Sequence, residues 1–483
     1  MKISPQDVLK VMLLPVVACL ALGAVGRAQQ PKPEELPQAP TPNPSVMTLA
    51  GDVKVERATP GTMPLSIDEA IDLGLKRNLG ILLQVQNQRS VHGQVLTVKN
   101  NLLPSLTAVA KTSAQQVNLA ALGFKPGKID FTANFPTIVK VDVTSAQMNL
   151  SQQLFNVPAY YLYRAAQKAD DVASWSMLNQ RGTVALNVGT QYLRAVADAS
   201  QIDNAKALLK ADEVALNQAT ASHDAGVGTN LDVLRARVQL QTQQQALINA
   251  ENTFAKDKIA LNRLIGLPAE QELTLTDSAP YAEFAELPLD EAMKLAMERR
   301  KDLRSLQSQM EVADRTLKAV KYERLPSLSA EGFYGVVGET QGLYHGVFSA
   351  MGKLSFPIFE EAQLRGEREV ATAQLTGLKQ QITSLKVTIE QQIRSSMLDV
   401  DAANEQVKVA RSNVDLATQA LQDTTDRFAA GVDDNLPVVQ AQATLASAQS
   451  RLVETLYQYN QAKLALARNT GVVETQYKTY LGR

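Results

Sequence analysis

Small and apolar residues recur at alternating steps of three and four between residues 359 and 430, a stretch without proline. This spacing is the a/d pattern of a heptad coiled-coil helix. The seam comprises Ala371, Leu375, Leu378, Ile382, Leu385 and Ile389, and then Val400, Ala403, Val407, Ala410, Val414, Ala417, Leu421, Thr424 and Phe428. A four-residue stutter separates the two series and locally unwinds a supercoil. The pattern predicts a helix on the order of 100 Å long, because each residue adds about 1.5 Å.

A two-residue period marks another part of the chain, where valines at 139, 141 and 143 alternate with Lys140, Asp142 and Thr144. Such alternation predicts a β-strand with two unlike faces. A weaker pattern of the same kind begins at Ser105. We therefore expect strands at about 104–118 and 137–155, joined as a hairpin by a loop that contains glycine and proline.

A second proline-free segment, residues 159–267, is interrupted once, at 225–230. Gly226 can end a helix there, and Thr229 can cap the next one. The segment therefore predicts two antiparallel helices joined by a short tip.

A shorter helix is expected from Ser66 to about Asn100. Its start has the spacing of a capping box, with Glu69 three residues after Ser66.

The chain then repeats itself. Residues 65–70 return in similar form as 287–292, and the Leu-Pro-Ser-Leu of 103–106 returns as 325–328, both 222 positions later. After the hairpins the offset becomes 205, since the Ala-Gly-Val of 225–227 returns at 430–432. The return helices agree, because a heptad series that begins at Leu240 has a counterpart that begins at Leu445.

The duplication defines the expected domains. The first repeat spans 61–275 and the second 283–475, each with a helix, a β-hairpin, a long helix, a tip and a return helix. In the second repeat we expect strands at about 326–337 and 347–357 and a tip at about 430–436. Residues 476–483 are expected to form a C-terminal tail.

The N-terminus has the pattern of an export signal. A short charged start precedes an apolar core at 11–25, and small residues lead to a cleavage site after Ala28, so 1–28 is interpreted as a signal peptide. Two alternatives are lipidation at Cys19, the single cysteine, and a retained membrane helix, for which the apolar run is short. Residues 29–60, rich in proline, are expected to form an extended tether.

Composition excludes several classes of function. The 48 basic and 49 acidic residues balance, which disfavours a nucleic-acid-binding face. The three histidines are dispersed, and no metal-ligand spacing or nucleotide-binding motif is present in the sequence. We expect no catalytic residue, no cofactor and no metal, and therefore not an enzyme.

The predicted strands cannot be satisfied within one copy of the chain. Beyond the N-terminal segment no apolar run approaches the length of a membrane helix, so any crossing must use strands. Four strands leave open edges that cannot face lipid. Three copies would supply twelve strands, enough for a pore. The expected fold is mainly α with membrane β, in which a trimeric twelve-stranded β-barrel continues into a long α-helical coiled-coil barrel.

The doubled Leu-Pro-Ser-Leu, the paired Asp-Glu-Ala helix starts, the Ala-Gly-Val tips and the Gly-Leu-Pro at 266–268 resemble the TolC-type outer-membrane efflux protein family. The resemblance covers about residues 60–475. It implies a homotrimer in the lipid of the outer membrane of a Gram-negative-type envelope, with a large periplasmic portion. It also implies docking of the tips onto a periplasmic adaptor bound to an inner-membrane transporter of RND, ABC or MFS type, in efflux or type I secretion.

The family commonly closes its periplasmic mouth with aspartates just after the second tip. Here Pro437 and Gln440 stand where those acids often lie, so this chain departs from the pattern. The candidate gate residues are therefore Asp232, Asp433 and Asp434. Their alternative role is that of helix N-terminal acids that interact favourably with the helix dipole.

The candidate adaptor-docking residues are Gly226, Val227, Gly431 and Val432. They would also serve as ordinary helix-breaking turns, but an exposed valine at each tip favours a contact.

Two other functions remain as alternatives. A periplasmic adaptor is also rich in coiled coil, but it needs a lipoyl-like β-domain, whereas here hairpins alternate with helices in both halves. A structural envelope protein would not need amphipathic strands.

Overall fold

The computed structural model describes residues 61–119, 121, 138–277, 281–284, 287–340, 342–430, 432–433 and 436–482. The predicted signal peptide, Cys19 and the tether lie outside the described residues. In chain order the elements are β1 (Met63–Leu65), α1 (Ile67–Arg77), α2 (Leu79–Asn100), β2 (Ser105–Asn118), β3 (Ile138–Phe155), α3 (Val157–Asp224), α4 (Asn230–Ile265), β4 (Leu273–Leu275), α5 (Leu289–Arg299), α6 (Lys301–Lys321), β5 (Ser327–Glu339), β6 (Tyr344–Ser355), α7 (Glu361–Ala429), α8 (Leu436–Asn469) and α9 (Val473–Leu481).

The four long strands form one antiparallel sheet in the order β2-β3-β5-β6. The sheet therefore joins the hairpin of the first repeat to that of the second. Strand β6 begins at Tyr344, three residues before the predicted limit of 347, because Gly338 pairs with Tyr344 and extends the ladder. It also ends at Ser355 rather than at 357.

Two helices of similar length dominate the chain, α3 with 68 residues and α7 with 69. At about 1.5 Å per residue each is roughly 100 Å long. Helix α4 packs beside α3, and α8 packs beside α7. Several predicted seam residues of α7 are buried, among them Ile389, Val400 and Val407. None of the helices in the described ranges has an apolar stretch long enough to cross a membrane.

The largest apolar core lies where the middle of α3 meets α1, α8, α9 and the small parallel pair of β1 and β4. Tyr192 of α3 is fully buried there, and its hydroxyl lies 2.9 Å from both the Leu65 carbonyl and Asp277 Oδ2. Asp277 Oδ2 also accepts a hydrogen bond of 2.8 Å from the Ile67 amide. The segment after β4 is thus held against the middle of the long helix.

The helix predicted from Ser66 to about Asn100 is two helices. It begins as expected, since the Ser66 and Glu69 side chains form a capping box, but it breaks at Asn78. The Asn78 side chain caps α2 by accepting a hydrogen bond of 2.9 Å from the Gly80 amide, and it donates one of 3.0 Å to the Leu264 carbonyl. A contact with a distant helix therefore stabilises the break.

The second repeat breaks at the equivalent position, Arg300, which lies 222 residues after Asn78. The hydrogen-bond partners of Arg300 differ from those of Asn78. Its guanidinium donates hydrogen bonds to Asp302 Oδ2 and Gln392 Oε1, each at 2.6 Å.

The predicted tail at 476–483 is mostly helical, since α9 extends to Leu481. Tyr477, Tyr480 and Leu481 lie on one face of α9 and are buried. The Tyr477 hydroxyl donates a hydrogen bond of 2.6 Å to Asp68 of α1. The last described helix, α9, therefore packs against α1.

Candidate functional site

The first tip is a tight reversal between α3 and α4. The Ser222 carbonyl accepts hydrogen bonds from the amides of Val227 at 3.0 Å and Gly228 at 2.9 Å. Gly226 has a φ of +77°, in the left-handed region that favours glycine. These are the features of a glycine C-terminal cap, which ends α3 at the predicted place.

The second tip repeats the same hydrogen bond. The Val432 amide donates to the Arg427 carbonyl at 3.0 Å. These two residues lie 205 positions after Val227 and Ser222, so the two long helices end by equivalent contacts. Gly431 lies outside the described residues.

Both tip valines are exposed to solvent, Val227 at 83% and Val432 at 66%. At the first tip Leu231 and Leu234 are also exposed. Exposed apolar side chains are therefore concentrated near the first tip.

The candidate gate residue Asp232 lies in the first turn of α4, three residues after the N-cap Thr229. Its carboxylate accepts hydrogen bonds from the Thr229 hydroxyl at 2.6 Å and the Thr229 amide at 3.2 Å. The Asp232 amide in turn donates to the Thr229 hydroxyl at 3.2 Å, which completes a capping box. Arg235 lies 3.8 Å from the same carboxylate. The geometry at Asp232 is therefore that of the alternative role, a helix N-terminal acid.

The candidate gate residue Asp433 is paired across the second tip. Arg427 Nε donates a hydrogen bond of 2.6 Å to Asp433 Oδ2. This hydrogen bond to the carboxylate raises the pKa of Arg427 above its ordinary value. Sequence reasoning missed Arg427, because nothing in its local pattern distinguishes it from other exposed arginines. Asp434 lies outside the described residues.

One face of the sheet carries an apolar band. Across the four strands Ala108 pairs with Met148, Met148 with Tyr334, and Tyr334 with Phe348. The band comprises Leu106, Ala108, Ala110, Ala146, Met148, Leu150, Leu328, Ala330, Gly332, Tyr334, Val336, Gly346, Phe348, Ala350, Gly352 and Leu354. From Leu328 to Val336 it extends about 26 Å along the strand, at about 3.3 Å per residue.

The opposite face of the sheet is mostly polar at the same level. It carries Lys111, Gln147, Asn149, Ser151, Glu331, Ser349 and Lys353. The three valines that predicted the strand, at 139, 141 and 143, lie on this face and not in the apolar band. The apolar and polar faces therefore exchange sides along β3, between Val143 and Ala146.

The sheet is open at both sides in the described part of the chain. Strand β2 pairs with β3 alone, and β6 pairs with β5 alone. Each edge strand is long, with 14 residues in β2 and 12 in β6. Edges of this length leave rows of backbone donors and acceptors that a further strand can pair. Among the described residues, no group of acidic, cysteine or histidine side chains is arranged to hold a metal ion.

A family model described as outer membrane efflux protein matches residues 70–267 and 292–472. The two matched segments cover more than half of the chain. The resemblance noted in the sequence is confirmed.

Individual relatives agree with the family match. The pyoverdine export outer membrane protein OpmQ of Pseudomonas aeruginosa is 24% identical over 467 residues, which cover 94% of this chain and 95% of OpmQ. The probable efflux pump outer membrane protein SepC of Pseudomonas putida is 26% identical over 309 residues, 60% of this chain. The match spans 61% of the length of SepC.

The crystal structure of the Campylobacter jejuni CmeC outer membrane channel has the same fold. It superimposes with a TM-score of 0.74 over 88% of this chain and 94% of CmeC, at 14% sequence identity. At this level of identity the likeness concerns the fold.

Proposed function

The chain belongs to the outer membrane efflux protein family, and from that premise we propose that it is a passive exit duct in the outer membrane. The duct would serve a tripartite efflux pump or a type I secretion system. It contributes no catalysis, and energy for transport comes from a partner. The names of SepC and OpmQ, an efflux pump component and an export protein, support this class of function.

The observation that carries the proposal is the open sheet with one apolar face. An apolar band about 26 Å long, measured along the strand, is comparable to the outward-facing band of an outer-membrane strand. The opposite face is mostly polar, as the lining of a water-filled pore would be. Tyr334 and Phe348 are both largely exposed in the single chain, at 70% and 79%, and lipid would cover them.

The open edges support a homotrimer. An unpaired edge in lipid leaves backbone groups without hydrogen bonds, so β2 of one copy must pair with β6 of the next. Three copies then give twelve strands, which close a barrel wide enough for a channel. The long helices α3 and α7, with their return helices, would continue this barrel as an α-helical tube in the periplasm.

The tips are the proposed docking surface for a periplasmic adaptor. They lie at the ends of α3 and α7, and the candidate contact residues remain Gly226, Val227, Gly431 and Val432. The adaptor would connect the duct to an inner-membrane transporter of RND, ABC or MFS type, which selects the cargo.

We also propose that carboxylates near the tips attract cations and form the periplasmic gate. The candidates remain Asp232, Asp433 and Asp434. The pair between Arg427 and Asp433 supports a local role for Asp433, because it fixes the carboxylate beside the tip. Asp232 would combine gating with capping. Export is proposed to follow cleavage after Ala28, with lipidation at Cys19 as the alternative.

Conductance tests the proposal. Chain extracted from outer membranes and inserted into a planar bilayer should give discrete ion-conducting steps that favour cations. The variant D433N tests the proposed gate residue, and D203N, which changes an exposed aspartate on α3, is its matched control. Only D433N should change the cation preference or the open fraction of the channel. A chain that stays soluble without detergent and gives no steps would instead favour the periplasmic adaptor.

A further inference from the structure

Equivalent positions of α3 and α7 are buried in the same order. The pairs Ile202 with Val407 and Ala205 with Ala410 are separated by 205 residues, and all four side chains are buried. Asp198 occupies the next position of this seam toward the N-terminus, and its counterpart in α7 is Ala403. Asp198 is 5% exposed and Ala403 is 8% exposed. The first repeat therefore places a carboxyl group where the second has a methyl group.

Asp198 belongs to a junction of three helices centred on Arg194 of α3. Arg194 Nε lies 3.5 Å from Asp198 Oδ1 and 3.8 Å from Asp257 Oδ2 on α4. Arg194 Nη1 donates a hydrogen bond of 3.1 Å to Glu454 Oε2 on α8. The guanidinium also lies over the Tyr457 ring of α8, 5.3 Å from its centre. One cation thus joins three carboxylates from three helices.

The charges at this junction do not balance. Three ionised carboxylates around one guanidinium would leave two negative charges in excess. Asp198 Oδ2 is buried and has no hydrogen-bond donor. A buried ionised oxygen without a donor is costly, and a proton is the simplest group that removes the cost.

Each of the helices packed around Asp198 contributes at least one charged or titratable side chain to its surroundings. Arg194 lies on α3, Asp257 on α4, and Glu454 with Tyr457 on α8. A cavity of about 680 Å³ between the three helices is lined by Asp198, Arg194 and Glu454, and also by Arg451 of α8. The cavity gives the junction room to open.

We infer that Asp198 and Asp257 hold one proton between them, and that this proton keeps α3 packed against α4 at the junction. When the proton is present, Arg194 faces two remaining negative charges and its contacts to α4 and α8 are retained. When it is lost, Asp198 of α3 and Asp257 of α4 are both ionised and repel each other, and α3 separates from α4 toward the cavity. The tube would therefore be tighter on the acidic side of neutrality.

The direction of the effect follows from the titration of Asp198. Burial raises the pKa of Asp198 to about 7, and the neighbouring Asp257 carboxyl group adds to the rise, while Arg194 opposes it. A carboxyl group with a raised pKa stabilises the closed junction at low pH, and the contribution is lost as the pH rises through the raised value. The opening constant should rise about tenfold per pH unit between pH 5 and 6.5 and level off above pH 7.

Hydrogen exchange of the full-length protein in detergent tests the inference. The rates of a peptide that covers residues 190–206 are measured from pH 5 to 8 and divided by the chemical exchange rate at each pH. Three variants accompany the wild type. D198N mimics the protonated group, and D198A introduces alanine, the residue at the equivalent position 403 of the second repeat. D203N changes an exposed aspartate of the same helix.

The wild type and D203N should show the tenfold-per-unit rise. D198N and D198A should show a flat corrected rate, close to that of the wild type at pH 5. A flat profile in the wild type, or a profile with the wild-type slope in D198N, would overturn the inference. If neither Asp198 variant folds, the wild-type profile alone decides, since its slope is the primary prediction.

Discussion

Gly471 lies against Arg299 in the same way that Gly266 lies against Arg77. Both glycines follow a return helix with positive φ, +73° at Gly266 and +80° at Gly471. A Cβ atom at Gly266 would lie 2.8 Å from Arg77 Cβ, and one at Gly471 would lie 2.9 Å from the Arg299 carbonyl carbon. The glycines are 205 residues apart and the arginines 222, so each repeat closes onto its own first helix by the same contact.

Alanine at either glycine should destabilise the protein. An alanine at positive φ is strained, and here its Cβ would also meet the neighbouring backbone, so we expect G266A and G471A each to cost about 1–3 kcal/mol. The thermal midpoint in detergent, followed by far-ultraviolet circular dichroism, measures the loss. The control is G93A, in the middle of α2, where a Cβ would meet nothing within 4 Å. G93A should be neutral or stabilising by about 0.5–1 kcal/mol, and equal losses in all three variants would contradict the interpretation.

Asp212 should make the stability of the packed helices α3 and α4 depend on pH. It lies in the buried seam of α3 and accepts a hydrogen bond of 3.4 Å from Gln239, whereas the second repeat has Ala417 at the equivalent position. Burial raises the pKa of Asp212 to about 6, and the Gln239 hydrogen bond opposes the rise. Its stabilising contribution is therefore present at low pH and lost as the pH rises through about 6.

D212A should remove this loss and stabilise the protein by roughly 2 kcal/mol at pH 7.5, with little effect at pH 4. Thermal midpoints across this range, compared with those of the exposed control D203A, measure the difference. A D212A variant that is less stable than the wild type at pH 7.5 would show that the carboxylate contributes a contact worth more than its burial costs.

The pair between Arg427 and Asp433 should order the second tip without adding to global stability. Both groups are at least partly exposed, and exposed ion pairs contribute little and are screened by salt. In R427Q we expect an unchanged thermal midpoint and faster cleavage near Val432 by thermolysin, which does not require arginine. R368Q removes an exposed arginine near the other end of α7 and should leave the cleavage rate unchanged.

High salt provides a second control for the tip. In the wild type, 1 M salt should accelerate cleavage toward the R427Q rate, because the Debye length falls to about 3 Å. Equal cleavage of R427Q and wild type at low salt would mean that the pair does not order the tip.

Much of the fold follows from periodicity in the sequence. The α7 seam, the tips and the hairpins depend on local spacing, and spacing is visible in a single chain. The helix breaks at Asn78 and Arg300 were missed because each is stabilised by a contact with a distant helix, through Leu264 and Gln392. The final helix was missed because its buried face depends on partners such as Asp68, more than 400 residues away.

The candidate site was predicted less completely than the fold. The valines of β3 indicated a strand correctly, but the apolar band follows Ala146 and Met148 on the other face, which only the register reveals. Asp198 was missed because the sequence alone does not show whether an acidic residue at a seam position is buried or exposed. Arg427 was missed because its partner is fixed by the conformation of the turn and not by helical spacing.

Stoichiometry tests the central claim most directly, since the open sheet requires other copies of the chain. The molar mass of the detergent-extracted complex, measured by native mass spectrometry after removal of the detergent, should correspond to three chains. The complex should also need detergent to stay in solution. A single chain that is stable in buffer without detergent, with the apolar band around Met148 and Tyr334 exposed to water, would contradict the account.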